Sequence, residues 1–151
     1  MRIMILAIAL LAGLAGRAAA GPAEEARRLY ADFVAAQNAN DLARVRGLLL
    51  DSPRFLWVTN GLSVWGPDGA IARLARFHAN AVWRIDPDQD RAVEVAPDAA
   101  FLHVPLLLTV GPAAKPERYR ILISALFADT PAGWRIAALF TTDENHAEAG
   151  P

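Results

Sequence analysis

The sequence predicts an α+β domain in which helices pack on one face of an antiparallel sheet. Helical periodicity is confined to the first half of the 151-residue chain, and extended runs fill the second half. The separators between those runs are rich in Pro, Gly and Asp, and they are short enough for antiparallel neighbours. Because 54% of the residues are apolar and a domain takes roughly 100 to 200 residues, we expect one domain with a sizeable core.

Three helices are predicted from apolar residues that recur at helical spacing. The first covers about residues 23–37, the second begins at a cap, Asn40 or Asp41, and ends before Pro53, and the third opens at Gly66 to Gly69. Their apolar stripes are, in order, Ala26, Leu29, Tyr30, Phe33 and Val34; Leu42, Val45 and Leu49; and Ile71, Leu74, Ala75 and His78.

Extended runs predict the strands of the sheet. A short strand from Phe55 to Thr59 is bounded by Asn60-Gly61. The strand at 101–110 is apolar at nearly every position, so both of its faces should be covered. One face should meet the helices and the other a second subunit, which predicts a homodimer. The remaining strands are predicted at 81–85, 91–96, 118–128 and 134–142.

Composition excludes several classes of function. Fifteen Lys and Arg stand against sixteen Asp and Glu, and this balance argues against nucleic acid or anionic lipid as a partner. The chain has no cysteine, which excludes disulfides, thiolate metal ligands and thiol nucleophiles. The three histidines, His78, His103 and His146, show no metal-ligand spacing, and no glycine-rich phosphate loop is present. We therefore expect no metal and no cofactor.

Residues 1–20 have the pattern of a secretory signal peptide. Arg2 precedes an apolar stretch from Ile3 to Leu14, and three alanines precede Gly21. This stretch of twelve residues is short for a bilayer, which takes roughly twenty. The pattern predicts export to the periplasm or the medium without a stable membrane anchor, although Arg17 in the cleavage region leaves an uncleaved start open.

Two segments resemble one family. The run Phe33-Val34-Ala35-Ala36-Gln37-Asn38-Ala39-Asn40-Asp41-Leu42 is similar to the first helix and turn of the nuclear transport factor 2-like superfamily, which includes SnoaL-like cyclases and ketosteroid isomerases. The closing strand at 133–140 also resembles that of the superfamily, and the resemblance covers residues 23–143. It implies a cone: a curved antiparallel sheet wrapped around a long N-terminal helix, with two shorter helices and an apolar pocket, commonly in a dimer. The domain should span 21–143, with a disordered tail at 144–151.

The resemblance does not extend to the isomerase chemistry. That reaction uses an Asp base together with an oxyanion hole made from a Tyr and a protonated carboxylic acid. Alignment of the turn puts Phe33 at the Tyr position, Trp57 at the base, and Ala125 or Ser124 at the acid. All three groups are missing, and no strand Asp or Glu has the facing needed to replace the base of the SnoaL-like cyclases.

His103 is the ionisable residue singled out by the pattern, because it interrupts the apolar strand at 101–110. The family register turns it inward with Phe101 and Leu107, where an imidazole can act as a base or a polar handle. The alternative is a structural histidine that bonds to the backbone or to Ser124.

Aromatic and polar residues around the expected mouth predict a site for a small apolar molecule. For His78 the alternatives are packing within the core and contact with His103 or a ligand. For the tryptophans they are lining the mouth and filling the cone. The candidate ligand-binding residues are Trp57, Thr59, His78, Trp83, His103, Ser124 and Phe140.

Two functions follow from these observations. The first is an exported, non-enzymatic domain that binds a small hydrophobic ligand or a protein partner. The alternative is a lyase or isomerase of the SnoaL-like cyclase kind, with His103 as general base and Thr59 or Ser124 orienting a carbonyl. The missing carboxylate favours the first.

Export gives a direct prediction. If the signal peptide is cleaved after Ala20, protein recovered from the periplasm or the medium should have the intact mass of a chain that starts at or near Gly21. Full-length protein confined to the cytoplasm would contradict export.

Overall fold

A computed structural model describes residues 20–79 and 82–144. Three parts of the sequence-based prediction lie outside the described residues. They are the signal peptide up to residue 19, the start of the strand at 81–85, and the tail beyond Glu144, which contains His146. In the described parts, no helix is long and apolar enough to span a bilayer. The elements are α1 (Pro22–Asn38), α2 (Leu42–Leu48), β1 (Leu56–Thr59), β2 (Leu62–Trp65), α3 (Pro67–His78), β3 (Val82–Pro87), β4 (Arg91–Ala96), β5 (Ala99–Gly111), β6 (Glu117–Ala128) and β7 (Arg135–Asp143).

The α+β class is confirmed, with α1 against the curved sheet and two shorter helices beside it. Local chemistry sets where the helices begin. Pro22 and Pro67 open α1 and α3, at positions where the missing N–H costs nothing. The Asp41 carboxylate caps α2 by accepting the Arg44 N–H at 2.9 Å, so Asp41 rather than Asn40 is the cap among the two that the sequence offers.

The sheet is mixed rather than wholly antiparallel. Its strand order is β2-β1-β7-β6-β5-β3, and β4 also pairs with β5. Every pairing is antiparallel except the one between β1 and β7, which is parallel. The short linkers that predict antiparallel pairs join strands adjacent in sequence. In contrast, α3 and five strands separate β1 from β7 along the chain, so the direction of β7 relative to β1 is free to differ.

The strand β2 is missing from the sequence-based expectation. It forms a hairpin with β1 across Asn60 and Gly61, whose φ angles are 49° and 71°. An Asn-Gly pair is the strongest local signal for such a two-residue turn, because both positions need positive φ. Only four residues form the strand, and three of them are exposed. Three of the four are apolar in sequence, but a run of four residues is too short to show a clear alternation of apolar and polar side chains.

The core lies between α1 and the concave face of the sheet. Strand β5 contributes alternate residues to it, Leu102, Val104 and Leu106, all of which are fully buried. Neighbouring strands add Phe127 and Ile136. The other face of β5 remains partly exposed, so the helices of the described chain cover one face only.

The side chain of Asn38 fastens the end of α1 to an edge of the sheet. Its Nδ2 donates to the Ile85 carbonyl at 2.9 Å, and its Oδ1 accepts the Ile85 N–H at 2.8 Å. Ile85 lies on β3, the last strand in the order, and both of its backbone groups would otherwise have no strand partner on that side. The amide therefore completes the pairing of an edge strand.

We expect Asn38→Ala to lower the free energy of unfolding by about 1 to 3 kcal/mol, because it leaves two partly buried backbone groups unpaired. Chemical denaturation checks this. Arg54→Ala, which trims an exposed side chain, is the control and should change stability by no more than about 0.5 kcal/mol. Equal stability of the two variants would contradict the role of Asn38.

Candidate functional site

A cavity of about 420 Å³ lies between α1, α3 and the concave face of the sheet. Its wall is mostly aliphatic and aromatic, and both helices and strands contribute residues to it. Phe33 comes from α1, Leu74 from α3, Ile123 from β6 and Leu139 from β7. A concave apolar space of this size is typical of small-molecule sites.

Few polar groups reach the wall. The Trp57 indole N–H donates to Thr141 Oγ1 at 3.0 Å, joining β1 to β7 across their parallel pairing. Since the Thr141 oxygen accepts this bond, its own hydroxyl hydrogen remains available to donate. Gln37, Thr59 and Asn60 add further polar side chains to the lining.

Ionisable groups are scarce in the wall. Among the lining residues that the structure describes, only Tyr119 and Asp143 can ionise. The Tyr119 hydroxyl donates to the Glu117 carboxylate, and this hydrogen bond raises the pKa of Tyr119. Asp143 is exposed. The interior of the cavity is therefore neutral at pH 7, with its one lining carboxylate in contact with solvent.

Three of the residues predicted from the sequence lie together on this wall: Trp57, Thr59 and Trp83. Trp57 and Thr59 alternate on β1, so both face inward, and both are buried. Trp83 approaches from β3. Their role in binding a ligand stays a prediction, but the structure does bring them to one cavity.

The inward orientation expected for His103 is wrong. Buried residues on β5 stand at even positions, Leu102 and Val104 among them, so His103 projects from the opposite face. There its Nδ1 lies 3.0 Å from the hydroxyl of Ser124, directly opposite on β6. The alternative of a structural histidine bonded to Ser124 is the arrangement that the structure contains.

Ser124 and Phe140 share this outer face, because they form a cross-strand pair in the same row as His103. Neither of them lines the cavity. The misplacement has a simple physical cause. Strand β5 is apolar at odd and even positions alike, and a shift of one residue in register turns every side chain to the other face.

His78 is buried beside the cavity without lining it. Its Nδ1 lies 2.5 Å from Asn40 Oδ1, and its ring centre is 4.8 Å from that of Trp83. Burial lowers the pKa of His78, so the ring is neutral at pH 7. It does not meet His103, which projects from the convex side of the sheet.

Sequence reasoning missed five polar residues of the wall: Gln37, Asn60, Tyr119, Thr141 and Asp143. A signal existed for Gln37, because it follows Phe33 by one helical turn and so continues the apolar stripe. Thr141 also follows Leu139 by two residues on a strand and shares its face. The contact of Thr141 with Trp57 depends on the parallel pairing of β1 and β7, which no local pattern predicts.

A metal centre is not formed by the residues at 20–79 and 82–144: they contain no group of three His, Cys, Asp or Glu side chains placed to hold an ion.

Comparison with solved structures shows the same fold. An uncharacterized protein with a cystatin-like fold from Caulobacter vibrioides is similar, with a TM-score of 0.73 and 18% identity over 83% of this chain and 91% of that one. A ketosteroid isomerase-like protein from Erwinia carotovora atroseptica has a TM-score of 0.72 and 15% identity over 82% and 96% of the two chains. A proposed dehydratase of the nuclear transport factor 2-like family from Streptomyces avermitilis has a TM-score of 0.72 and 16% identity, also over 82% and 96%.

No sequence among the curated proteins matches the chain. A model of the SnoaL-like domain does match, over residues 26–139, which is most of the sequence and includes most of α1, all of α2 and α3, and the greater part of the sheet. This match confirms the resemblance drawn from the first helix and the closing strand. The chain therefore belongs to the family of SnoaL-like domains.

Proposed function

We propose that this SnoaL-like domain is exported and binds a small hydrophobic molecule in its cavity without transforming it. The observation that carries the proposal is an apolar cavity of about 420 Å³ whose interior holds no ionised side chain. A ligand that displaces water from such walls gains from apolar burial. Export rests on the signal-peptide pattern of residues 1–20.

The polar groups of the wall suggest how a ligand would be oriented. Thr141 accepts from the Trp57 indole, which leaves its hydroxyl hydrogen as a donor toward the cavity. A ligand with a carbonyl or ether oxygen on an apolar ring system could accept that hydrogen bond. Few polar contacts on an apolar wall are typical of a site that selects by shape and fixes orientation at one end.

Catalysis by His103, the alternative raised by the sequence, has no geometric support. A general base must come within hydrogen-bond reach of the proton that it removes, and His103 stands on the face of the sheet opposite the cavity. The wall presents Phe33 and Trp57 where an isomerase would need a Tyr and an Asp. The enzyme names of two similar structures concern proteins of 15 and 16% identity, which share the fold.

The outer face of the sheet supports a homodimer. One cross-strand row is entirely apolar and runs through Val93, Phe101, Leu126 and Ala138 on four strands. Val93 and Leu126 are 44% and 38% exposed, and Phe140 beside them is 44% exposed. An apolar surface that crosses several strands is typical of an association site. We propose that a second copy of the chain covers it.

Filling the cavity tests the proposed ligand binding. Ala70 is fully buried on α3 and lines the cavity, so Ala70→Phe should occupy the space that a ligand needs. We expect the neutral ketone 2-acetylnaphthalene to bind the unaltered chain, and Ala70→Phe to weaken that binding roughly tenfold or more, about 1.4 kcal/mol. Isothermal titration calorimetry measures both affinities.

The control places the same ring on the other face of the sheet. His103→Phe should leave the affinity for 2-acetylnaphthalene unchanged, because His103 does not line the cavity. If His103→Phe weakened the binding of 2-acetylnaphthalene and Ala70→Phe did not, the ligand would bind at the outer face of the sheet and not in the cavity. Absence of binding by the unaltered chain in a wider set of neutral apolar compounds would contradict the proposal.

For the dimer, we expect light scattering to give twice the chain mass at micromolar concentration and Leu126→Lys to give a monomer. The lysine puts a charge in the middle of the apolar row, where burying it unpaired is costly. Leu62→Lys makes the same exchange at an exposed leucine on the β1–β2 hairpin and should stay dimeric. A monomeric unaltered chain would contradict the proposal.

A further inference from the structure

Gln37 is a buried polar residue in the wall of the cavity. It lies in the last turn of α1, one helical turn after Phe33, and only 4% of its surface is exposed. Glutamine is rarely buried so completely, because its amide carries N–H donors and an acceptor oxygen that need partners away from water. The surroundings of this amide therefore show whether those partners come from the chain.

The amide has no partner within the described chain. Among the side-chain hydrogen bonds of residues 20–79 and 82–144, none involves the nitrogen or the oxygen of the Gln37 side chain. The neighbouring Asn38 differs, since its amide forms two bonds with the Ile85 backbone. A buried amide without partners lowers stability, so a structural role does not account for Gln37.

The amide is unpaired but not enclosed. In the described residues, the side-chain polar atoms that are both fully enclosed and unpaired belong to Tyr30, Arg73, His78 and Trp83. Since the Gln37 amide is unpaired and is not one of these, the small exposed fraction of the residue includes its polar atoms. Gln37 lines the cavity, so its donor and acceptor are open to a ligand there.

We propose that the ligand of the cavity is a neutral cyclic amide, a lactam, that pairs with the Gln37 side chain. This inference rests on the proposed function and names the class of ligand. The ring of a lactam holds its N–H and C=O on the same side, whereas the usual trans form of an open-chain secondary amide points them in opposite directions. The Gln37 oxygen then accepts the ligand N–H while the Gln37 nitrogen donates to the ligand carbonyl.

The remaining wall favours a neutral ligand over an anion. A carboxylate could accept from the Gln37 nitrogen, but it has no hydrogen to donate to the Gln37 oxygen. The described lining also contains no Lys, Arg or His that could pair with its charge. A lactam leaves no charge unpaired, and its apolar ring system gains from burial against Leu74 and Ile123.

Thr59 is the other buried polar residue of the described lining, and it is also 4% exposed. It stands opposite Thr141 in the pairing of β1 with β7. A hydroxyl can rotate and donate to an oxygen of almost any ligand, so these threonines select weakly. The amide of Gln37 presents a donor and an acceptor side by side, which makes it the more selective group.

The test compares two ligands of the same shape. 2-Quinolinone and coumarin differ beside the carbonyl, where the first has an N–H and the second a ring oxygen. In isothermal titration calorimetry, 2-quinolinone should bind the purified chain at least about tenfold more tightly, a difference of about 1.4 kcal/mol. The reason is that the ring oxygen of coumarin faces the Gln37 oxygen and leaves it without a donor.

Gln37→Met keeps the length of the side chain and removes the amide. The two affinities should become equal through weaker binding of 2-quinolinone. Because the lost amide has no partner in the chain, the variant should fold, and Gln37→Leu is a second apolar variant if it does not. Gln89→Met makes the same exchange at an exposed position between β3 and β4 and should keep the preference.

The outcomes separate this inference from the proposed function. If 2-acetylnaphthalene binds but 2-quinolinone and coumarin bind the unaltered chain equally, the lactam preference is overturned while the cavity remains a binding site. If the Gln37 variants keep the preference, the role of Gln37 is overturned. If none of the three compounds binds, and no other neutral apolar compound does, both proposals are overturned.

Discussion

The pair of hydrogen bonds between the Asn38 side chain and the Ile85 backbone holds the end of α1 against the last strand of the sheet. The cavity begins at this junction, because Gln37 precedes Asn38 on the helix and Ile85 itself is part of the wall. If the end of the helix moved away from β3, the cavity would lose one of its sides. The bonds also satisfy two backbone groups on an edge strand, which otherwise invite pairing with another chain.

The long strands β5 and β6 serve two surfaces at once. Their inward side chains build the core and the cavity, whereas their outward side chains form the apolar row and the pair of His103 with Ser124. This division follows from the alternation of side chains along a strand. It explains why a strand that is apolar on both faces does not imply a fully enclosed position: one face is buried by helices of the same chain, and the other stays partly exposed.

Charge is distributed unevenly around the cavity. Six arginines of the described residues, on α1, α2, β3 and β6, pair with nearby acids, so their charges are balanced locally and contribute little to recognition. Arg73 has aromatic rings instead of an acid beside it.

The class of the fold, the order of its helices and most strands, and the turn at Asn60-Gly61 could be predicted from the sequence, because these depend on spacing and on residues close along the chain. For the cap of α2 the sequence left Asn40 and Asp41 open, and the structure selects Asp41. It also indicated Trp57, Thr59 and Trp83 as neighbours of the cavity. Tertiary structure alone decided the parallel pairing of β1 with β7, the contact of Trp57 with Thr141, and the outward direction of His103. The physical reason is that strand pairing joins residues far apart in sequence. A strand that is apolar on both faces carries no local signal for which face turns inward.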